Sequence, residues 1–166
     1  MLVRTSAPRE SKRRAVDVKV RPAGAADAAV WLELRRALWP EDVPGEHRRE
    51  VDAYFAGKFP RHPWAVLLAE DDAGSALGFA EVSIRPWAEG CRTHRVAYLE
   101  GWFVAADARE RGAGRALVTA AEAWGRDQGC AEFASDADPE NEVGVAAHRA
   151  LGFADAGLVR CFRKDL

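Results

Sequence analysis

The run Arg109-Glu110-Arg111-Gly112-Ala113-Gly114-Arg115 sets three guanidinium groups and two glycines just ahead of an amphipathic pattern. That combination suits an anion. A helix N-terminus carries unpaired backbone N–H groups and partial positive charge, so phosphate oxygens can be held there. Gly112 and Gly114 remove the Cβ atoms that would keep those oxygens away, and the planar arginine forks add full charge. The run reads as a pyrophosphate cradle. A nucleotide P-loop needs Gly-Lys-Ser/Thr, whereas Gly114 is followed by Arg115 and Ala116, so ATP or GTP chemistry is not supported. A dinucleotide fingerprint needs a third small residue where Leu117 stands.

Two carboxylates are the other candidates for chemistry. Glu100 lies in a strand over 96–104, where period-two alternation predicts Val96, Tyr98, Glu100, Trp102 and Val104 on one face. A carboxylate between two aromatics in a half-buried strand is unusual and suits a general base or an anchor for a cation. A salt bridge to an arginine such as Arg85 or Arg95 would account for it equally. Asp136 closes a strand over 131–136, the kind of strand end that lines ligand crevices in α/β sheets. It could also cap the turn with Asp138, Pro139, Glu140 and Asn141. Asn141 stands where it would cap the next helix, and Trp39 and Trp87 serve either as packing or as aromatic walls.

These residues need elements to place them. Val16, Val18 and Val20 alternate as a strand closed by Pro22, and Val30, Trp31, Leu34 and Leu38 form a helical stripe stopped by Pro40. A second helix spans 46–55, with Gly57 after it. The segments 64–69 and 77–85 flank the acidic turn Asp71-Asp72-Ala73-Gly74 as a hairpin. Beyond the loop 86–95 and the strand 96–104, a helix over 112–126 buries Ala113, Leu117, Ala120, Ala121 and Trp124. A strand over 131–136, a helix over 142–151 and a final strand over 158–163 complete the chain. Hairpins first and strand-helix-strand units later predict an α/β fold with a mixed sheet and helices on its faces.

The 166 residues fit one domain, and 48% hydrophobic with 30% charged residues describes a globular chain rather than a disordered one. No apolar run approaches the ~18 residues of a membrane span, and the basic N-terminus lacks the apolar core of a secretory signal. Cys91, Cys130 and Cys161 are odd in number and lack metal-ligand spacing, which predicts free thiols in a reducing cytoplasm. The net charge of −2 conceals an asymmetry. Residues 1–21 hold seven basic and two acidic side chains, leaving 17 basic and 24 acidic in the rest. Residues 1–15 read as a flexible basic arm and 16–166 as a single domain. Such an arm could release counterions from nucleic-acid phosphates, but a solvated extension is the preferred explanation.

The motif Arg109-x-x-Gly112-x-Gly114, after the strand Leu99-Glu100-Gly101-Trp102-Phe103-Val104, resembles the acetyl-CoA motif of the GNAT N-acetyltransferases. An ordered set is similar to the aminoglycoside 6′-N-acetyltransferases of that superfamily: Leu38-Trp39-Pro40, Gly78-Phe79-Ala80, Ser83-Ile84-Arg85, Gly90-Cys91, Leu99-Glu100-Gly101, Ala134-Ser135-Asp136, Pro139-Glu140-Asn141 and Leu151-Gly152-Phe153. It covers residues 16–164. The resemblance implies the GNAT acyltransferase fold, with a mixed, mostly antiparallel central sheet flanked by helices. It further implies acetyl-CoA as co-substrate without a metal, a cationic aminoglycoside acetylated at its 6′ amine in a ternary complex, antibiotic resistance, and a cytoplasmic homodimer.

By the same resemblance, Glu100 and Asp136 are catalytic and bind substrate together with Trp39 and Trp87. The cofactor falls to Trp102, Phe103, Val104, Arg109, Glu110, Arg111, Gly112, Ala113, Gly114, Arg115, Asn141 and His148. Relatives can carry a proton-donating tyrosine where this chain has Phe162, or after Asn141 where His148 stands; Tyr54 and Tyr98 lie far upstream. Two other functions fit the same residues: acetylation of another amine, such as a polyamine or a protein N-terminus, and a noncatalytic acyl-CoA- or nucleic-acid-binding module.

Overall fold

The computed structural model describes residues 17–41, 43–59 and 64–165. Val16 and the basic arm therefore lie outside the described residues. Among the described residues, five strands form one sheet in sequence order: β1 (Lys19–Pro22), β2 (Trp64–Glu70), β3 (Ala76–Arg85), β4 (Val96–Val104) and β5 (Glu132–Ser135). The first four are antiparallel to their neighbours and β5 runs parallel to β4. The helices are α1 (Ala28–Leu38), α2 (Glu46–Phe55), α3 (Ala113–Asp127) and α4 (Glu142–Ala150). This is the mixed sheet with flanking helices that the pattern predicts, mostly antiparallel as the resemblance implies.

The turn between β2 and β3 closes because the Asp71 side chain accepts from the N–H groups of Ala73 and Ser75, at 3.0 and 2.8 Å. Both faces of the hairpin are apolar, so each needs a cover. On one face Trp31 and Leu32 of α1 pack with Val66, Leu68 and Phe79. On the other, Leu117, Val118 and Ala121 of α3 pack with Leu67, Val82 and Leu99. Each fully buried side chain of this size contributes about 2 kcal/mol. Helix α3 lies close to the sheet, since a Cβ at Gly125 would fall 2.7 Å from the Cβ of Ala97.

Two expectations are corrected. Strand β4 does not alternate evenly, because the register steps from Glu81↔Gly101 to Val82↔Leu99 and leaves Glu100 as an extra residue. Such a bulge resets which side chains share a face. Leu99, Trp102 and Val104 all turn toward α3, whereas Glu100 reaches Ser83, the partner of Tyr98, on the opposite face. The predicted face uniting Tyr98, Glu100 and Trp102 is thus split. The final strand over 158–163 is also absent, and Leu158, Val159 and Phe162 are 84%, 65% and 89% exposed. Apolar alternation gives strand propensity, but a strand forms only by pairing, and the tail pairs with no strand among the described residues.

Candidate active site

The bulge puts Glu100 within reach of two groups on β3. Its side chain, 8% exposed, accepts a hydrogen bond from the Ser83 hydroxyl and pairs with Arg85, whose Nε lies 2.9 Å from Oε1. The Arg85 guanidinium in turn lies over the Tyr98 ring, 3.4 Å from its centroid. The salt bridge to Arg85 foreseen as an alternative role for Glu100 is therefore formed. Asp136 follows β5 directly and is exposed. Its charge acts on both Arg85 and Tyr98, so the two predicted carboxylates belong to one electrostatic cluster. The Tyr98 hydroxyl is pushed up to about 12, first by burial and next by Asp136. Tyr98, remote in sequence from the other candidates, is a protonated member of this cluster.

Beside that cluster the sheet opens. Pairing between β4 and β5 ends at Leu99↔Ser135, so among the described residues no strand pairs with the second edge of β4 beyond Gly101. The Ala105 N–H bonds to the Leu77 carbonyl at 2.9 Å. Alternation along an antiparallel ladder then directs the N–H groups of Gly101 and Phe103 toward β3, and those of Trp102 and Val104 into the opening. The Val104 carbonyl points the same way and accepts from Arg109 Nε at 3.3 Å.

The cradle lies at the far end of this edge. Glu110 has a φ of 63° and Gly112 a φ of 90°, so the chain turns twice through left-handed conformations before α3 begins at Ala113. Arg111 is half-buried, and its Nε is closed off from solvent without a hydrogen-bond partner among the described residues. Arg109 and Arg115 are exposed, and Arg115 reaches the Ala150 carbonyl at 3.3 Å. Gly114 has a further reason to lack a side chain: a Cβ there would stand 2.9 Å from the Trp102 ring.

Helix α4 closes the opening from the side. Asn141 caps it, its Oδ1 accepting from the Gly144 N–H at 2.9 Å. His148 has Nδ1 2.7 Å from the Gly144 carbonyl and Nε2 3.0 Å from Ser135 Oγ. A carbonyl only accepts, so Nδ1 carries a proton toward Gly144, and Nε2 lies within hydrogen-bond distance of the Ser135 hydroxyl. The ring also stands edge-on to Trp102 at 5.4 Å, which places His148 between β4, β5 and α4. Phe162 lies in the exposed tail and offers no proton.

A family model for the acetyltransferase (GNAT) family matches residues 30–153, from α1 through the cradle to α4. The chain belongs to the GNAT acetyltransferase family. Over 147 residues it is 51% identical to an aminoglycoside N(6′)-acetyltransferase type 1 of Klebsiella aerogenes, covering 89% of this chain and 96% of that protein. A protein of the same description from Stenotrophomonas maltophilia is 42% identical, with 89% and 93% covered. Among solved structures, AAC(6′)-Iy bound to the bisubstrate analogue CoA-S-monomethyl-acetylneamine superposes with a TM-score of 0.82 at 34% identity, covering 90% of this chain and 99% of that one.

In this GNAT protein, Trp39 borders a cavity of about 500 Å³ together with Arg35, Leu38, Glu41, Glu46 and Glu50. Trp87 does not line it and stands 62% exposed in the loop after β3. Behind Trp39 lies a buried group not anticipated from the sequence. Glu81, 1% exposed, accepts from Trp31 Nε1 at 2.9 Å and lies 3.5 Å from Arg35 Nε. Burial pushes its carboxyl up to about 7 despite the Arg35 charge. Arg35 also pairs with Glu50 and stacks over Trp39 at 5.2 Å. The signal in the sequence was one carboxylate inside the apolar run 77–84, an arrangement that demands a partner.

Proposed function

We propose that this protein is an aminoglycoside 6′-N-acetyltransferase, which moves an acetyl group from acetyl-CoA to the 6′ amine of an aminoglycoside and so confers resistance. The observation that carries the proposal is the juxtaposition of the Glu100–Asp136 cluster with the free edge of β4, which leads to the cradle at α3. The residues fit acetyl-CoA. Arg109, Arg111, Arg115 and the N–H groups opening α3 would hold its phosphates, with Glu110, Gly112, Ala113 and Gly114 shaping the loop. Trp102, Phe103 and Val104 would line its pantetheine arm, with Asn141 and His148 on the opposite wall.

Acetyl-CoA supplies a thioester carbonyl for the amine to attack and a thiolate to leave. The chain's own groups do the rest. Trp102 and Val104 N–H groups are preorganised donors in the opening, able to orient the arm and stabilise negative charge on oxygen. Asp136 and Glu100 hold the ammonium of the substrate, and one of them, directly or through water, accepts its proton before attack. Holding both reactants in one site removes the need for a covalent acyl-enzyme. Trp39, and Trp87 from its loop, flank the sugar rings.

Residues 16–166 form the catalytic domain in this proposal, with the basic arm 1–15 outside it. A cytoplasmic location is supported by the free thiols of Cys91, Cys130 and Cys161. A homodimer is supported by the apolar side chains bared at the C-terminal end. Thiol release from acetyl-CoA tests the activity, using one aminoglycoside with a 6′ amine and one with a 6′ hydroxyl. Turnover of the amine alone is expected. Binding of CoA with turnover of neither would overturn the proposal.

A further inference from the structure

Trp31, Arg35 and Trp39 are spaced four residues apart, so the pitch of α1 and its C-terminal cap brings them to one side of the helix. The Arg35 guanidinium lies over both indoles, 5.5 Å from the Trp31 ring centre and 5.2 Å from that of Trp39. Its charge has two counterions. Glu81 on β3, buried and bonded to Trp31 Nε1, lies 3.5 Å from Nε, and Glu50 on α2 pairs with Nη2 at the rim of the cavity. Nε and Nη1 are nonetheless closed to solvent without a hydrogen-bond partner among the described residues. A guanidinium that leaves donors unused while resting on two indoles is placed for its flat face as much as for its charge.

Trp39 is fixed from other sides too. Its N–H donates to the Arg35 carbonyl at 2.9 Å, and its own carbonyl accepts from His47 Nε2 at 3.0 Å. The His47 ring stacks on the indole at 6.1 Å and 27°, and Phe79 meets it edge-on at 6.3 Å. We propose that Arg35 is a positioning residue for substrate binding, whose guanidinium sets the Trp39 indole as a rigid wall for a sugar ring of the aminoglycoside. This inference rests on the acetyltransferase reading above and deepens it. A half-buried indole that could turn between rotamers would lose that freedom each time substrate bound, whereas one already held does not. Glu81 then has a task that the reaction itself does not give it. A cation buried beneath the wall is costly unless a carboxylate is buried beside it.

Two measurements on the full chain test this. Fluorotryptophan labelling gives one fluorine NMR signal per tryptophan, six in all, and Trp39→Phe identifies the Trp39 signal. Arg35→Lys keeps a charge beside Glu81 but offers no plane. In the ligand-free variant the Trp39 signal is expected to shift and broaden. KM for an aminoglycoside bearing a 6′ amine is expected to rise about fivefold or more, the size of one lost ring contact, with kcat and CoA affinity as in the wild type. In a Trp39→Ala background, Arg35→Lys is expected to add nothing further to KM. Should Arg35→Lys not fold, Arg35→Met/Glu81→Gln removes both buried charges together and is expected to give the same signature. An unmoved Trp39 signal, an unchanged KM or a full additional loss in the Trp39→Ala background overturns the inference and leaves Arg35 as the counterion of Glu81. A wild type that acetylates no aminoglycoside overturns the acetyltransferase reading, while the fluorine spectra still decide whether Arg35 holds Trp39.

Discussion

Arg85 on β3 holds Glu100 on β4, its Nε 2.9 Å from one carboxylate oxygen while its Nη2 engages the other. This pairing neutralises Glu100 at rest and fixes its direction, whereas Asp136, exposed at the end of β5, keeps its charge available. The two carboxylates should therefore separate on substitution. Asp136→Asn is expected to lower kcat by about a hundredfold or more, within the range of general-base contributions. Glu100→Gln retains shape and acceptor oxygen but loses charge, and is expected chiefly to raise KM for the aminoglycoside. Steady-state kinetics and calorimetric CoA titration check both; a parallel loss of CoA affinity would mean that these residues serve the fold.

At the other end of the opening, Arg111 offers an unpartnered Nε and Gly112 a left-handed backbone. Arg111→Gln removes a charge-assisted contact of about 1.5–3 kcal/mol, so CoA affinity should fall by about tenfold or more. Gly112→Ala has open space for its methyl group, but its backbone conformation costs a non-glycine residue about 1–2 kcal/mol. Both substitutions should raise KM for acetyl-CoA and leave KM for the aminoglycoside unchanged. A shift in the aminoglycoside value instead would mean that the cradle does not act on the cofactor side.

The glycine loop that opens α3 and the Asn141 cap were legible because each is local, written within a few consecutive residues whose backbone consequences are known. The bulge at Glu100 was not, since Tyr98, Glu100 and Trp102 satisfy alternation on paper. Gly101 was the one clue, as glycine inside a strand often marks a bulge. Glu81 lies 50 positions from Trp31, and no local pattern encodes that pairing. The segment 158–163 has strand-like alternation but forms no strand, because pairing is a property of the assembled sheet, and the tail pairs with no strand among the described residues.

Glu81 makes stability depend on pH in a calculable direction. Its folded-state carboxyl is raised from 4.5 to about 7, so the fold prefers the neutral form. Its contribution is then fully present below about pH 4.5 and is lost as pH rises through about 7. Relative to Glu81→Gln, which keeps an acceptor for Trp31 and cannot ionise, the wild type should lose about 3 kcal/mol across that window. Urea unfolding of both proteins at several pH values measures the difference. A difference that does not change with pH would show that Glu81 remains ionised beside Arg35 throughout.

Gly101 and Trp39 give the sharpest test of the substrate wall. A Cβ at position 101 would stand 2.5 Å from the Trp39 ring, so Gly101→Ala forces the indole outward without touching any charged group. Overpacking of this kind costs about 1–3 kcal/mol. If Trp39 flanks the sugar rings, Gly101→Ala should raise KM for the aminoglycoside several-fold and leave CoA binding intact. Trp39→Ala should produce the same signature more strongly. In the double variant the methyl group that Gly101→Ala introduces would meet no ring, so the pair should cost no more than Trp39→Ala alone. Additive losses would place the effect of Gly101 in the strand rather than in the wall it supports.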